Sequence, residues 1–593
     1  MKKISDYIAL GRRIEKEVKE NKLNINTSVN IALLSSNTTT YMKEVVIAQC
    51  YSDGILANVY QSDYGQYSQD LYNSASALYS SNPELIFISI DIQSISDDYL
   101  LIPYNKNEKE RLLFSKEISN LLYDFAEQAC KHSSAKIVLH NFEVPNYSPL
   151  GIIENKNTYG YIESIEEANR FLTNKCKDSN QIFVYDYNAF CSKYGKANIH
   201  DSKMYYMGDV ILKPKFMPDL CLEYMRYINT KVLQVKKCII LDLDNTLWGG
   251  VIGEVGVESI HLGPTPEGRS FMEFQQCLLS LYKRGVILAI NSKNNFDDAM
   301  LAIREHPHMI LKEEHFAAIR INWDDKVSNI KSLAKELNIG LMSLVFIDDD
   351  QLNRDMVNKL LPEVLVIDMP RDPSLYVDQL KQINCFDTFV LTSEDRLKGQ
   401  MYYEQKQREH LKRDVTDIKS YLRMLNISVI IRHASNQDVP RISQLTQKTN
   451  QFTLTSKRYS EENIFSLIKN SIFHVLVITV KDKFGDNGLT GVAIVKKNKK
   501  KSVWRIETFL ISCRIIGREA ENVLLSYIIK QAKKENVKFV IGVFIKTQKN
   551  DPAKNFYEKN GFLRLGRHNN VAIWKYNTNK DFTNVDFIKT NIE

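Results

Sequence analysis

An apolar run at residues 236–244 of the sequence ends in two aspartates, within KKCIILDLDNTLWGG. Asp242 and Asp244 occupy alternate positions, and side chains two residues apart on a strand point to the same face. Two carboxylates held this close repel each other, and a divalent cation relieves the repulsion. Because hard oxygen ligands favour Mg²⁺, we predict a magnesium site at this strand end, with Thr246 just beyond it.

Three further segments place polar side chains in an order suited to phosphoryl transfer. Ser292 ends the apolar run VILAINS, where its hydroxyl can hold a phosphate oxygen. Lys326 follows in INWDDKVSNI, where its ammonium can neutralise a phosphoryl group. Asp348 and Asp349 close the run LVFIDDD and supply Mg²⁺ ligands. Positioning and electrostatic stabilisation dominate phosphoryl transfer, so these residue types suffice.

These side chains need a scaffold that gathers them. The runs at 236–244, 286–292 and 342–350 have the composition of buried strands, with helical segments between them. Ligands of open parallel sheets bind beyond the carboxyl ends of the strands, where all of these polar residues stand. An acidic strand end alone is an ordinary feature of such domains, but four ordered segments favour a phosphoryl-transfer site.

The rest of the chain indicates an α/β multidomain protein. Apolar runs such as VNIALLSS (29–36) and QIFVYDYNAF (181–190) alternate with helical segments and predict a first parallel sheet. The stretch KKNKKK (496–501) is interpreted as a hairpin turn. The segment 386–425 is highly charged, and a solvated helix is favoured over a basic partner-binding segment. The predicted boundaries are an N-terminal helix at 1–25, an α/β domain at 26–228, a phosphoryl-transfer domain at 229–385, a charged helical connector at 386–425, an α+β domain at 426–579 and a tail at 580–593.

Composition limits the classes of protein. The chain has 593 residues, too many for one core, and 78 basic residues nearly balance 71 acidic ones, which gives no argument for nucleic acid. Nine cysteines without a CxxC pair predict a reducing compartment, with neither disulfides nor a zinc site. No run approaches the roughly 18 apolar residues of a membrane span. We therefore expect a cytoplasmic protein that binds neither nucleic acid nor membrane.

The DxDxT pattern after a buried strand resembles the first motif of the HAD (haloacid dehalogenase-like) superfamily. The resemblance implies that Asp242 attacks phosphorus and that Asp244 is the general acid and base. It also implies that Mg²⁺ is bound by Asp242, Asp244, Asp348 and Asp349. Asp244 would contribute its backbone carbonyl. Of Asp348 and Asp349, Asp349 would be the direct ligand.

A narrower resemblance is carried by DLDNTLWGGVIGEVGVESIHLG, SKNN and FIDDDQLNR, and beyond them by TQKTNQFTLTSKRYS, DKFGDNGLTGVAIV and ISCRIIGREAENVLL. Together they resemble the FkbH-like branch, a subfamily IIIC phosphatase-like group. This implies a glyceryltransferase with a phosphorylated three-carbon substrate, 1,3-bisphosphoglycerate. Its partner is an acyl carrier protein whose phosphopantetheine thiol receives the glyceryl group for polyketide or related biosynthesis.

The C-terminal region resembles the GNAT acyltransferase fold. Asn550 and Tyr557 match its N-x-x-A-x-x-x-Y pattern, and Arg514 and Gly517 match its pyrophosphate loop. Glu519 stands where that loop normally has a small residue, and an acid there should repel a pyrophosphate. A pantetheine arm on a carrier protein is therefore expected in place of coenzyme A.

Cys513 stands immediately before the predicted start of a helix, next to Arg514 and near Arg518. A helix N-terminus and two guanidinium groups should favour its thiolate, which could carry the glyceryl group as a thioester. The alternative is a small residue packed beneath the helix.

The first domain resembles the SGNH-hydrolase-like domain of longer FkbH-like proteins, through the turn LLSSNTTTYM. Ser35 or Ser36 occupies the nucleophile region, but His200 precedes Asp201 where a D-x-x-H pair is needed. A structural or docking role is favoured over hydrolysis. Two alternatives for the whole chain remain open: a HAD phosphatase fused to a coenzyme A-dependent acyltransferase in surface-polysaccharide biosynthesis, and a non-catalytic scaffold.

Overall fold

The computed structural model describes residues 3–23, 25–96, 99, 102–413, 415, 417–498, 502–568, 570–580, 582 and 585–593. Two compact units divide the chain, Met1–Val235 with Asp387–Val390, and Lys236–Phe386 with Leu391–Glu593. Residues 499–501 of the expected hairpin turn, and 414 and 416 of the expected connector, lie outside the described residues. Among the described helices, none combines the length and apolarity that crossing a membrane requires.

The first unit contains a five-stranded parallel sheet in the order β2-β1-β3-β4-β5. Buried apolar side chains cover both faces of this sheet, as expected for parallel strands flanked by helices. The described strands are β1 (Ser28–Ser35), β2 (Leu56–Gln61), β3 (Leu85–Ser89), β4 (Lys136–His140) and β5 (Ile182–Tyr185). The described helices are α1 (Ile4–Lys19), α2 (Met42–Ser52), α3 (Tyr67–Tyr72), α4 (Ala77–Ser80), α5 (Glu108–His132), α6 (Tyr161–Cys176), α7 (Tyr187–Tyr194), α8 (Lys196–Ile199), α9 (Ser202–Gly208) and α10 (Met217–Val232).

Two details of this unit differ from the sequence-based expectation. Helix α1 packs directly on α2, where a Cβ added at Gly11 would lie 2.2 Å from the backbone oxygen of Glu44, so the N-terminal helix belongs to the first unit. The run expected as one strand at 181–190 is a strand only to Tyr185. The Asp186 side chain then accepts the N–H of Ala189 and begins helix α7.

The phosphoryl-transfer region of the second unit contains another parallel sheet, in the order β10-β9-β6-β7-β8. The chain leaves β6 toward β7 and β8, then returns to add β9 and β10 on the other side, so the order switches beside β6. The strands are β6 (Cys238–Leu241), β7 (Ile287–Ser292), β8 (Phe316–Ile321), β9 (Leu344–Ile347) and β10 (Leu365–Val366). The helices are α11 (Ile252–Val255), α12 (Pro266–Lys283), α13 (Phe296–Glu305), α14 (Lys326–Glu336), α15 (Gln351–Leu360) and α16 (Tyr376–Lys381).

The expected connector is helical, as α17 (Ser393–Arg396), α18 (Lys398–Arg413) and α19 (Ile418–Met424), but it is not a solvated helix. From Met401 to Glu409 no residue is exposed. Arg408 of α18 is 1% exposed and forms a two-point ion pair with the buried Asp482. The charges of this segment are paired inside the unit, which is why charge did not indicate exposure.

The C-terminal region has the expected α+β fold, on one mixed sheet in the order β17-β18-β16-β15-β14-β13-β11-β19, with β12 beside β15. Strands β15 and β16 are parallel within an otherwise largely antiparallel arrangement. The strands are β11 (Ser428–His433), β12 (Phe452–Thr453), β13 (Phe473–Asp482), β14 (Gly485–Asn498), β15 (Val503–Ile511), β16 (Phe539–Ile545), β17 (Leu563–His568), β18 (Val571–Asn577) and β19 (Lys589–Ile592). The helices are α20 (Val439–Lys448), α21 (Glu461–Lys469), α22 (Ala520–Lys534) and α23 (Phe556–Lys559). Within the tail expected at 580–593, residues 589–592 form β19 and pair with β11, so this part of the tail belongs to the sheet.

Candidate active site

The polar residues predicted for phosphoryl transfer meet at one edge of the second unit's parallel sheet. Asp242 follows β6, Ser292 ends β7, and Asp348 and Asp349 follow β9. Leu241 of β6 is in register with neighbours on both flanking strands, so the three strand ends are level. The apolar strands thus position the site as the sequence predicted.

Three carboxylates form the centre of the site. Asp242, Asp348 and Asp349 each offer an oxygen within 4.8 Å of the others. Burial raises the pKa of Asp349 to about 7, and the charges of Asp242 and Asp348 add to the rise. Burial and the Asp242 charge also raise the pKa of Asp348. Clustered oxygen ligands with this unfavourable repulsion fit Mg²⁺, and these three side chains would hold it.

Lys326 supplies the ammonium that faces this cluster. Its Nζ lies 2.7 Å from Oδ1 of Asp242 and 3.1 Å from Oδ2 of Asp348, and it donates to the carbonyl of Asn291 at 2.7 Å. The side chain is 1% exposed. Burial alone would lower its pKa, but the two carboxylates outweigh burial, and the pKa is raised. Lys326 is therefore a fixed positive charge beside the nucleophile position.

Asp244 is oriented by a separate set of donors. Its Oδ1 accepts from Trp248 Nε1 at 2.9 Å and from the Ile252 N–H at 3.2 Å, and its Oδ2 accepts from Asn294 Nδ2 at 2.9 Å. Its carboxylate is not among the three clustered ones. Burial raises the pKa of Asp244, while the three hydrogen bonds oppose the rise. A carboxyl group that is held apart and more easily protonated suits acid–base work.

The remaining predicted residues lie around this centre. The Thr246 hydroxyl donates to Oδ1 of Asp349 at 3.5 Å. Ser292 is 1% exposed, and its hydroxyl accepts from Asn294 at 3.4 Å. Its role in holding phosphate stays a prediction.

Four supporting residues were not singled out from the sequence: Asn291, Trp248, Asn294 and Arg354. Arg354 donates to the carbonyls of Asp348 and Asp349 at 2.9 and 2.6 Å and so holds the strand end in place. Trp248 and Asn294 stand within the segments LWGG and SKNN, which were used only for the family resemblance. A buried polar group next to a motif is the signal that would have found them.

Cys513 is not brought to the Asp242 cluster. It is exposed and begins a short 3₁₀ turn, whereas α22 begins only at Ala520. Its electrostatic neighbours include Lys237 and Tyr402, and Lys237 precedes β6. Asp242, by contrast, follows the carboxyl end of β6, and Cys513 is not among the residues that affect the pKa of Asp244, Asp348 or Asp349.

The expected basic surroundings of Cys513 also differ. Arg518 is buried and pairs with Asp482, and Arg514 contacts the sulfur of Met401. Neither a helix N-terminus nor the Arg518 charge is directed at this thiol. The expectation of a helix-activated thiolate therefore lacks its structural basis, and acyl transfer through Cys513 stays a prediction.

The GNAT-like motif residues serve the fold. Asn550 is fully buried, donates to the carbonyls of Thr453 and Ile545 and accepts the N–H of Thr547. Tyr557 is buried over Gly542, where an added Cβ would lie 2.3 Å from the ring.

Two acids follow the loop that would receive a pyrophosphate. Glu519, the acid predicted to oppose pyrophosphate, has φ +64° and stands directly before α22. Glu521 lies in the first turn of α22, and its burial raises its pKa to about 7. Repulsion of a pyrophosphate by Glu519 stays a prediction.

In the first unit, Ser36 is held by local hydrogen bonds. Its hydroxyl accepts the N–H of Asp91 at 2.8 Å and donates to Oδ1 of Asn37 at 3.2 Å. His200 contacts Glu143 instead. The described residues therefore contain no hydrogen-bonded Ser36–His200 pair.

Comparisons with known proteins agree with the domain order. The model of the FkbH N-terminal domain matches residues 30–229. The N-terminal part of protein BF1531 from Bacteroides fragilis, which contains a phosphatase domain and is complexed with Mg, is 25% identical with a TM-score of 0.57. That match covers 66% of this chain and 100% of the other.

Other solved structures match only about a quarter of the chain. The ribosomal-protein-S18-alanine N-acetyltransferase from Escherichia coli is 16% identical, with a TM-score of 0.21, over 25% of this chain and 94% of its own. An N-acetyltransferase from Thermoplasma acidophilum in complex with coenzyme A is 17% identical, with a TM-score of 0.22, over 25% of this chain and 99% of its own. A comparison with curated proteins finds no match. The chain therefore contains a match to the FkbH N-terminal domain at residues 30–229 and is similar over 66% of its length to a solved protein that contains a phosphatase domain.

Proposed function

We propose that this chain is a Mg²⁺-dependent glyceryltransferase and phosphatase that uses a 1,3-bisphosphoglycerate-type donor. The three-carbon acyl group passes to the phosphopantetheine thiol of an acyl carrier protein. The observation that carries the phosphatase half is the ion pair of Lys326 with Asp242 and Asp348, beside Asp349 at level strand ends. The acyl acceptor rests on the family resemblance and on the GNAT-like domain.

The residues divide the phosphatase chemistry as follows. A carboxylate oxygen of Asp242 attacks phosphorus, and the bond from phosphorus to the substrate oxygen breaks while Asp244 gives a proton to the leaving oxygen. Water then attacks the phosphorus, Asp244 takes a proton from it, and phosphate leaves with the Asp242 carboxylate restored. Lys326 offsets negative charge on Asp242 and the phosphoryl group throughout. When bound, Mg²⁺ supplies further charge neutralisation.

The second half of the reaction needs a thiol. The acyl–phosphate bond of the donor breaks as a thiol sulfur attacks the carbonyl carbon, and phosphate is the leaving group. Cys513 has Lys237, which precedes β6, as an electrostatic neighbour, whereas Asp242 follows β6. An acyl group on Cys513 would therefore be held at a second site, separate from the phosphatase site. The carrier thiol can also be acylated directly.

The alternative is a phosphatase fused to a coenzyme A-dependent acyltransferase. Glu519 disfavours it, because a carboxylate at the last small position of the loop should repel a pyrophosphate. A pantetheine arm on a carrier protein has no adenosine diphosphate and does not depend on this loop.

The test is loading of a holo carrier protein by the full chain with Mg²⁺ and 1,3-bisphosphoglycerate, read by intact-protein mass spectrometry. We expect one glyceryl group on the carrier, and no dephosphorylated product with Asp242→Asn. Asp355→Asn, an exposed carboxylate on α15, is the matched control and should behave as wild type. Phosphate release without a glyceryl adduct on any holo carrier would overturn the transferase half.

A further inference from the structure

A second group of ligand-type side chains lies in the first unit, apart from the phosphatase site. We propose that Glu143, Cys191 and His200 bind a Zn²⁺-type transition-metal ion. The cluster stands beyond the carboxyl end of β4, where ligands of parallel sheets bind. Composition predicted no zinc site, because these residues do not form a short sequence motif.

The three side chains converge from separate elements. Glu143 follows β4, Cys191 lies on α7, and His200 follows α8. One ligand atom from each lies within 4.8 Å of the others. Cys191 is fully buried, while Glu143 and His200 are partly buried. Only the helical form of the 181–190 segment brings Cys191 to this place, because α7 turns the chain directly after β5.

His200 is oriented as metal-binding histidines are. Its Nδ1 lies 3.4 Å from the carbonyl oxygen of Ile211, which favours the proton on that nitrogen. In the neutral ring, Nε2 is then an acceptor, yet it faces Oε2 of Glu143 at 2.5 Å. Two acceptors this close need a proton or a cation between them.

The ligand types identify the class of ion. Sulfur, imidazole and carboxylate together suit Zn²⁺, whereas Mg²⁺ prefers oxygen ligands alone. The ion at Cys191 would therefore differ from the one at Asp242. The nearby ammonium of Lys196 is directed elsewhere, to the carbonyl of Val144 and to Oδ1 of Asn188.

A small polar cavity adjoins the cluster. It has a volume of about 30 Å³, and its lining includes Glu143, Asp91, Asn141 and Tyr187. This is enough for a water molecule, which needs roughly 10–15 Å³ by this measure. Three protein ligands with a fourth position open to water are the arrangement of catalytic rather than structural zinc sites. Of the three proposed ligands, Glu143 lines this cavity, so a water molecule or small ligand in it would approach the ion from the Glu143 side.

Cobalt distinguishes this site from the phosphatase site. The full chain, freed of metal by a chelator, is titrated with Co²⁺ alone while the near-ultraviolet absorption is recorded. A cysteine ligand gives a sulfur-to-cobalt charge-transfer band, which the all-oxygen ligands at Asp242 cannot give. We expect the band to saturate at one Co²⁺ per chain and to disappear when Zn²⁺ is added.

Variants assign the band to these residues. Cys191→Ser should abolish it, and His200→Gln, which keeps the thiol, should weaken Co²⁺ binding by about 10-fold or more. Cys221→Ser, at another fully buried cysteine of the same unit, and Asp242→Asn should retain it. If circular dichroism shows that Cys191→Ser does not fold, the Co²⁺ affinity of His200→Gln decides whether these residues bind the ion. Absence of the band in folded wild type, or its persistence at full strength in both site variants, would refute the site.

Discussion

At the residue scale, charge balance governs the phosphatase site. Lys326 contacts two of the three clustered carboxylates, so one ammonium faces three acids. Burial raises the pKa values of Asp348 and Asp349, and repulsion by the Asp242 charge adds to both rises. A divalent cation would neutralise the remaining negative charge. A substrate phosphate could then contact both the cation and the Lys326 ammonium.

Mg²⁺ should therefore stabilise the chain. Binding to the folded state alone raises the unfolding free energy by about 2.7 kcal/mol when free ligand exceeds its Kd about 100-fold. Calorimetry of the chelator-treated chain should show a higher Tm with Mg²⁺, and Asp349→Asn should show a smaller increase. Equal increases in wild type and Asp349→Asn would remove Asp349 from the ligand set.

The buried Glu521 predicts a pH dependence of stability. Its pKa is raised from 4.5 to about 7, so the folded state binds the proton more tightly than the unfolded state. Its ionisation therefore costs stability progressively as the pH rises from about 4.5 through 7, by at most about 3 kcal/mol at about 1.36 kcal/mol per pKa unit. Below pH 4.5 this cost is absent.

Glu521→Gln isolates that contribution, because the amide keeps the shape without the charge. Tm measured from pH 5 to pH 8 should fall less in Glu521→Gln than in wild type. If Tm changed with pH in the same way in the two proteins, Glu521 would not be a buried acid at the start of α22.

At the element scale, the strand ends were predictable and their supports were not. An apolar run ending in DLD, NS or IDDD indicates both a parallel strand and its functional end. Asn294 and Arg354 act through bonds to residues distant in sequence, which no local pattern reveals. The phosphatase site was therefore predicted to its main side chains, and the groups that orient them were not.

Other elements defeated sequence patterns for identifiable reasons. The apolar stretch at 187–190 is compatible with either a strand or a buried helix. The N-cap hydrogen bond of Asp186 favours the helix. Strand β19 is short, polar and exposed, so only its pairing with β11 defines it. The buried charges of α18 depend on Asp482, which lies far along the chain.

Docking of the connector gives an element-scale prediction. Gly285 has φ +91°, and a Cβ there would lie 1.8 Å from the backbone oxygen of Asp395 in α17. Gly285→Ala should lower the unfolding free energy of the chain by about 1–3 kcal/mol, from strain and the clash. Gly340→Ala is the control, because nothing lies within 4 Å of its Cβ.

Thermal or denaturant unfolding of both variants is the measurement. A Gly285→Ala protein as stable as Gly340→Ala would show that the connector does not pack against the turn before β7.

At the scale of the whole chain, the proposed phosphate removal at Asp242 and the proposed acyl transfer at Cys513 would occupy different places in the second unit. Asp242 follows the carboxyl end of β6, and Cys513 has Lys237 as a neighbour at the amino end. Phosphate removal should therefore not depend on the thiol. A carrier arm or the intermediate must connect the two places if Cys513 takes part.

Cys513→Ala tests this separation. Phosphate release should stay within about 2-fold of wild type, because no contact of the phosphatase site is altered. Any glyceryl adduct on the chain itself should disappear, while Cys277→Ala should leave it unchanged. A glyceryl adduct that persists in Cys513→Ala would exclude Cys513 as the acyl carrier, and mass spectrometry of the intact chain provides the readout.

Nucleophilic attack by Asp242 is tested most directly by trapping the phosphoryl group on its side chain. An acyl phosphate needs no proton on its leaving carboxylate, so Asp244→Asn should still transfer phosphate to Asp242 but hydrolyse it slowly. With Mg²⁺ and acetyl phosphate, acid quenching and peptide mass spectrometry should find one phosphoryl group on the peptide that contains Asp242. A folded Asp244→Asn protein with no phosphoryl group on that peptide, or with one on another residue, would contradict the assignment.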